Sequence, residues 1–180
     1  MGNKNFCEAC LTCKKHWAAD SKTTCHDVCE EYQKWKNPFE TVYLGGAIDK
    51  ATPEFATEWR KEATIILQKH NFKVLDPTAG KDLYNLPPMT STYANQIVNS
   101  DLKMINESDI LLIEMSRIDM PYHGSSMEMV YGYLANKKQF VWGGCTSGWV
   151  IYHADQIFLK MEEALSHIIN MKRRNEVITR

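Results

Sequence analysis

The chain has 180 residues, 44% of them hydrophobic, and a formal net charge of −1. That length can bury one substantial core but is short for two ordinary domains with linkers, and the near-zero charge argues against a general polyanion binder, so nucleic acid is not an expected partner. No apolar run approaches the roughly 20 residues that a bilayer-spanning helix needs, and the N-terminus is polar and Cys-rich rather than signal-like, so a soluble, cytoplasmic protein without a membrane partner is expected.

Residues 1–38 differ in composition from the rest of the chain and are read as a separate Cys-rich appendage, with the main domain over 39–180. Five of the six cysteines fall in the appendage, at Cys7, Cys10, Cys13, Cys25 and Cys29, spaced C-x2-C-x2-C-x11-C-x3-C with His16 and His26 nearby. In a reducing compartment such clustering points to metal more than to disulfides. Four of these thiolates would satisfy a tetrahedral structural zinc, and the opening C-x2-C-x2-C also suits an iron–sulfur cluster. A helical hairpin with free buried thiols is the third open reading.

From Thr41 the pattern alternates strand and helix, which predicts an α/β fold: a flavodoxin/Rossmann-like open parallel sheet with helices on both faces, joined by right-handed crossovers. Thr41 to Ala47 reads as a strand ending in Gly45-Gly46, where backbone can approach a ligand closely. Pro53 to Lys69 reads as a helix packing through Phe55, Trp59, Ala63, Ile66 and Leu67. Phe72 to Leu75 is a second strand, and the long loop from Thr78 to Ser91 is either a lid or irregular surface. The helix from Thr92 to Glu107 has an apolar stripe of Val98, Leu102 and Ile105, with Asp101 at its edge.

Ile110 to Met115 reads as a strand, and a Pro121-Tyr122-His123-Gly124 turn then opens a helix expected to pack through Met127, Val130, Tyr131 and Leu134. Glu128 near that helix mouth has two readings. Ser125-x-x-Glu128 fits a capping box, in which Glu128 is structural. Alternatively, Glu128 projects into the crevice at the carboxyl ends of the strands, where open α/β sheets bind ligands. Gln139 to Trp142 is a fourth strand, and Trp142 or Trp149 is either a base-stacking or a packing residue. His153 is read as a structural histidine that could touch substrate. Gln156 to Phe158 is the last strand, and the closing helix turns Met161, Leu165, Ile168 and Ile169 inward. Its basic Met171-Lys172-Arg173-Arg174 run reads as a solvated helix end.

The run Gly124-Ser-Ser-Met-Glu-Met-Val-Tyr-Gly132 resembles the nucleophile motif of the nucleoside 2-deoxyribosyltransferase family, which includes nucleoside 5'-monophosphate N-glycosidases. Val42 to Ala47, Asn99 to Leu102 and Ser108 to Leu112 resemble further family motifs in the expected order, and the likeness spans roughly Thr41 to Ile169. The resemblance implies an enzyme that cleaves the N-glycosidic bond of a (deoxy)nucleoside through a covalent glycosyl-Glu intermediate and transfers the sugar to another base. Glu128 would be the nucleophile, Asp101 the partner that manages protons or orients the sugar, and Tyr43 the residue that orients Glu128. Gly45, Gly46, Asp49, Tyr122, His123, Gly124, Ser125 and Ser126 would line the substrate site. No cofactor is implied for the chemistry, and a homo-oligomer is expected because family members often complete the site with a neighbouring subunit.

Departures from the family pattern bear on the substrate. Tyr122 stands where transferases often have Asp and the monophosphate hydrolases Ser, and Ala47 and Asp49 stand where the hydrolases carry phosphate-contacting Ser and Arg. Asp49 would repel a phosphate, whereas His123, Ser125, Ser126 and the helix N-terminus could cradle one. Monophosphate hydrolysis, with water as acceptor, and a noncatalytic nucleotide-binding or sensing module therefore remain as alternatives.

Overall fold

The computed structural model describes residues 40–144 and 147–178, and residues Phe39–Arg174 form one compact unit. Its elements are β1 (Thr41–Gly45), α1 (Pro53–Lys69), β2 (Lys73–Leu75), α2 (Ser91–Glu107), β3 (Ile110–Glu114), α3 (His123–Leu134), β4 (Lys138–Trp142), α4 (Gly148–His153), β5 (Gln156–Phe158) and α5 (Met161–Ile178). The strands form one sheet in the order β2-β1-β3-β4-β5, with every pair parallel. This is the expected doubly wound α/β fold of flavodoxin-like order, in which the chain reverses direction between β1 and β3 and opens a crevice at their carboxyl ends.

Period-two alternation in the strands builds a core on each face. Val42, Leu44, Ile110, Leu112 and Phe140 meet Trp59, Ala63 and Leu67 of α1 and Leu165 and Ile168 of α5. Tyr43, Leu111, Ile113 and Val141 point the other way, against Ile105 of α2, Met129 of α3 and Val150 of α4. The start of α1 is set locally: the Thr52 side chain accepts from the Phe55 N–H, and Pro53 occupies the first turn, where its missing donor costs nothing.

Three expectations are corrected. Met127, Tyr131 and Leu134 are 64%, 50% and 71% exposed, and the buried side of α3 is instead Ser125, Met129 and Gly132. Small residues sit there because the helix lies close to the sheet: a Cβ on Gly132 would come within 2.6 Å of Leu111 Cδ2. In α2, Val98 is exposed and Ile105 alone is buried. The short helix α4 over Gly148–His153 was not expected from the sequence. Lys172 is buried rather than solvated, its Nζ donating to the Asn71 carbonyl at 2.7 Å and lying 4.5 Å from the centre of the Phe72 ring. The five appendage cysteines lie outside the described residues.

Candidate active site

Three elements deliver three side chains to the β1/β3 crevice. Tyr43 is wholly buried on β1, and its hydroxyl donates to Glu128 Oε1 on α3 at 2.8 Å. The other carboxylate oxygen, Glu128 Oε2, is buried without a hydrogen-bond partner among the described residues, and so is Oδ1 of Asp101 on α2. Buried carboxylate oxygens in this condition are costly unless a ligand or a proton satisfies them.

The local backbone is shaped around this carboxylate. A Cβ on Gly45 would lie 2.8 Å from Glu128 Oε2 and 2.4 Å from Ile113 Cδ1, so only glycine lets β1 run beside the acid. Gly46 follows at φ 153°, where a Cβ would stand 2.8 Å from the Glu114 Cβ. The capping-box reading of Glu128 is overturned. The residue at the N-cap position is Tyr122, no side chain caps the helix, and Ser125 lies inside the first turn while Glu128 reaches across to Tyr43.

Electrostatics make the two acids reluctant to ionise. Burial pushes the Glu128 carboxyl up to about 7; the Tyr43 hydrogen bond pulls it back, Asp101 pushes it further, and Arg60 lowers it. Burial likewise raises Asp101, against the pull of Lys81 and Arg60. Burial, then the negative charge of Glu128, pushes the Tyr43 phenol far above its ordinary range, so it stays protonated and donates.

The candidate substrate-contact residues are distributed around this centre. Gly45 and Gly46 adjoin it. His123 and Gly124 are exposed on the first turn of α3, Ser125 is buried in the same turn, Ser126 is half-buried in the next, and Asp49 is exposed beyond β1. Tyr122 has its hydroxyl turned inward, donating to Glu114 Oε1 at 2.7 Å and accepting from the Arg117 N–H at 3.1 Å. Trp142 lies on the opposite face of the sheet from Tyr43, edge-on to Trp59 at 5.6 Å. Trp149 is exposed and stacks on His153 at 5.8 Å, while His153 is buried, its Nδ1–H donating to the Trp149 carbonyl at 2.7 Å. The structural reading of that histidine accounts for both contacts.

Two charged residues were not singled out from the sequence. Arg60 is wholly buried within α1 and donates to three main-chain carbonyls. Glu114 is wholly buried at the end of β3 and accepts from Ser116 N–H and Oγ, both at 2.6 Å, from Tyr122, and from the Ala47 N–H at 3.4 Å. The available signal was a charge in an apolar frame: Arg60 falls between Ala56 and Ala63 on the packed stripe, and Glu114 between Ile113 and Met115.

Residues 40–145 match the family described as nucleoside 2-deoxyribosyltransferase like. The chain belongs to that family, and it is an enzyme of the nucleoside 2-deoxyribosyltransferase type. A search of curated protein sequences gives no match. Among solved structures, the 2-deoxyribosyltransferase of Bacillus psychrosaccharolyticus is similar at 18% identity over 68% of this chain and 88% of that one, with a TM-score of 0.50. A conserved protein of Enterococcus faecalis is similar at 12% identity, 76% and 99% coverage and a TM-score of 0.50. A CMP N-glycosidase of Clostridium botulinum is 18% identical over 72% of this chain and 98% of its own, with a TM-score of 0.48. At these identities the first two likenesses are likenesses of fold.

Proposed function

We propose that this enzyme cleaves the N-glycosidic bond of a (deoxy)nucleoside by direct attack of Glu128 on the anomeric carbon, and passes the sugar to a second base. The observation that carries this reading is the asymmetry of the Glu128 carboxylate: one oxygen is held by the Tyr43 hydroxyl at 2.8 Å, and the other is buried at the crevice with no partner among the described residues. Oε2 is the attacking atom. As its bond to the anomeric carbon forms, the bond from that carbon to the base nitrogen breaks, and the electron pair leaves with the base. Asp101 gives the departing base a proton, a task suited to an acid whose proton affinity is raised by burial. An incoming base then attacks the same carbon, returns a proton to Asp101 and frees Glu128.

Hydrolysis of a nucleoside 5'-monophosphate is the alternative outcome. It is supported by the N-terminus of α3, which no side chain caps, and opposed by the negative charge of Asp49. The experiment is a panel of nucleosides and their monophosphates incubated with and without an acceptor base, followed by chromatography of the bases. The expected result is exchanged base that depends on Glu128 and Asp101. Release without exchange, confined to monophosphates, would favour the hydrolase. Saturable binding with no base released from any substrate would favour a sensing module and overturn the proposal.

A further inference from the structure

Arg60 carries the second finding. Its guanidinium is wholly buried and forks across the carboxyl end of β1, with Nε 3.2 Å from the Leu44 carbonyl oxygen and Nη2 3.0 Å from that of Gly46. Nη1 donates to the Ala56 carbonyl one turn back. Its nearest counter-ion is Asp76 at the end of β2, 3.7 Å away, and that carboxylate oxygen is already engaged by the Thr78 N–H at 2.8 Å and the Thr78 hydroxyl at 2.7 Å. One cation thus ties together the ends of β1 and β2 and the first turns of α1, at the edge of the crevice.

Helix packing alone does not explain a charge in this position, because an apolar side chain would fill the site without the cost of desolvating a cation. What the crevice contains is the Glu128 carboxylate, one of whose oxygens has no donor among the described residues. We propose that Arg60 is a positioning residue for the nucleophile: it pins the strand end that carries Tyr43 and Gly45, the two residues set against the Glu128 carboxylate, and it places a fixed positive charge at the edge of the crevice. The inference rests on the assignment of Glu128 as nucleophile. A guanidinium suits the role because it stays charged when buried and its rigid fork reaches two carbonyls at once. The field is preorganised, so no solvent has to reorient when the carboxylate reacts.

Among the described residues, Glu128 is hydrogen-bonded by Tyr43 from β1 and feels the charges of Asp101 on α2 and Arg60 on α1. Arg60 feels the negative charges of Asp76, Glu128 and Glu114 and the Tyr43 phenol. Within this set Arg60 is the positive charge that acts on Glu128, Asp101 opposes it, and Lys81 acts on Asp101.

The test reads Glu128 directly. Protein carrying carbon-13 at the glutamate side-chain carboxyls is titrated by NMR, and the resonance missing from Glu128→Gln is that of Glu128. Arg60→Met is expected to raise the Glu128 midpoint by about a unit from about 7, so that base release falls about ninefold at pH 6 but only about twofold at pH 8. Arg60→Lys, which keeps the charge, is expected to leave the midpoint close to that of the wild type. Asp76→Asn removes the competing counter-ion and is expected to lower the midpoint, which keeps the test decisive if Arg60→Met does not fold. A Glu128 midpoint that stays in place in Asp76→Asn, and in Arg60→Met where it folds, would overturn the inference. Midpoints that move as expected in a protein that releases no base would sustain the role of Arg60 and refute the glycosidic reading instead.

Discussion

Glu128 is held at a cost to the fold. A carboxyl raised from 4.5 to about 7 binds its proton more tightly in the native state than in the unfolded chain, so its contribution to stability is complete below the ordinary carboxylate range and is lost as pH rises through 7. The loss amounts to up to about 3 kcal/mol on the alkaline side. Glu128→Gln is therefore expected to melt several degrees above the wild type at pH 8 and close to it at pH 4.5 in calorimetry, while base release falls by orders of magnitude. The nucleophile is the ionised form, so wild-type kcat/KM is expected to rise with pH through about 7. Tyr43→Phe removes the hydroxyl that stabilises the ionised form, and the lost charge-assisted hydrogen bond is worth about 2 kcal/mol. It is expected to move that limb up by about 1.5 pH units and to cost about fifteenfold in rate at pH 7.

At the scale of elements, β1 gives way to the acid. Gly45→Ala places a methyl 2.8 Å from Glu128 Oε2 and 2.4 Å from Ile113, and is expected to abolish base release and to lower the thermal midpoint. Thr52→Ala removes the α1 cap on the far side of the β1 turn; a loss of about 1 kcal/mol in denaturant unfolding, with kcat retained, is expected. The strands and α1 were legible in the sequence because their apolar residues repeat with the period of the surface they bury. The faces of α2 and α3 were not. In α3 the stripe of large residues points outward, and the side against the sheet is Ser125, Met129 and Gly132, so an apolar moment marked the wrong face. Glu128 and Tyr43 were found through a resemblance, whereas their hydrogen bond joins residues 85 positions apart and no local pattern encodes it. Arg60 was passed over because arginine in a helix is ordinarily a surface residue.

Over the whole molecule, the outward stripe of α3 is the surface on which the expected homo-oligomer would assemble. Met127, Tyr131 and Leu134 are exposed there, as are Trp149 and Tyr152 on α4, and apolar and aromatic exposure of this kind suits an interface core. Light scattering at micromolar concentration is expected to give a multiple of 20.8 kDa, reduced to the monomer by Tyr131→Glu. Among the described residues no helix is long and apolar enough to cross a membrane. Elemental analysis of protein purified without chelators is expected to find zinc or iron bound by the Cys7 to Cys29 segment, and only substoichiometric traces would sink that expectation.

Covalent capture of the sugar is the central claim, and it can be read in one measurement. The wild-type enzyme is incubated with a 2-fluoro-deoxynucleoside, whose fluorine slows turnover of a glycosyl intermediate, then quenched, digested and examined by mass spectrometry. The account predicts a fluorodeoxyribosyl adduct on the peptide containing Glu128, absent from Glu128→Gln. An unmodified peptide from an enzyme that releases base under the same conditions, or an adduct on another residue, would contradict it.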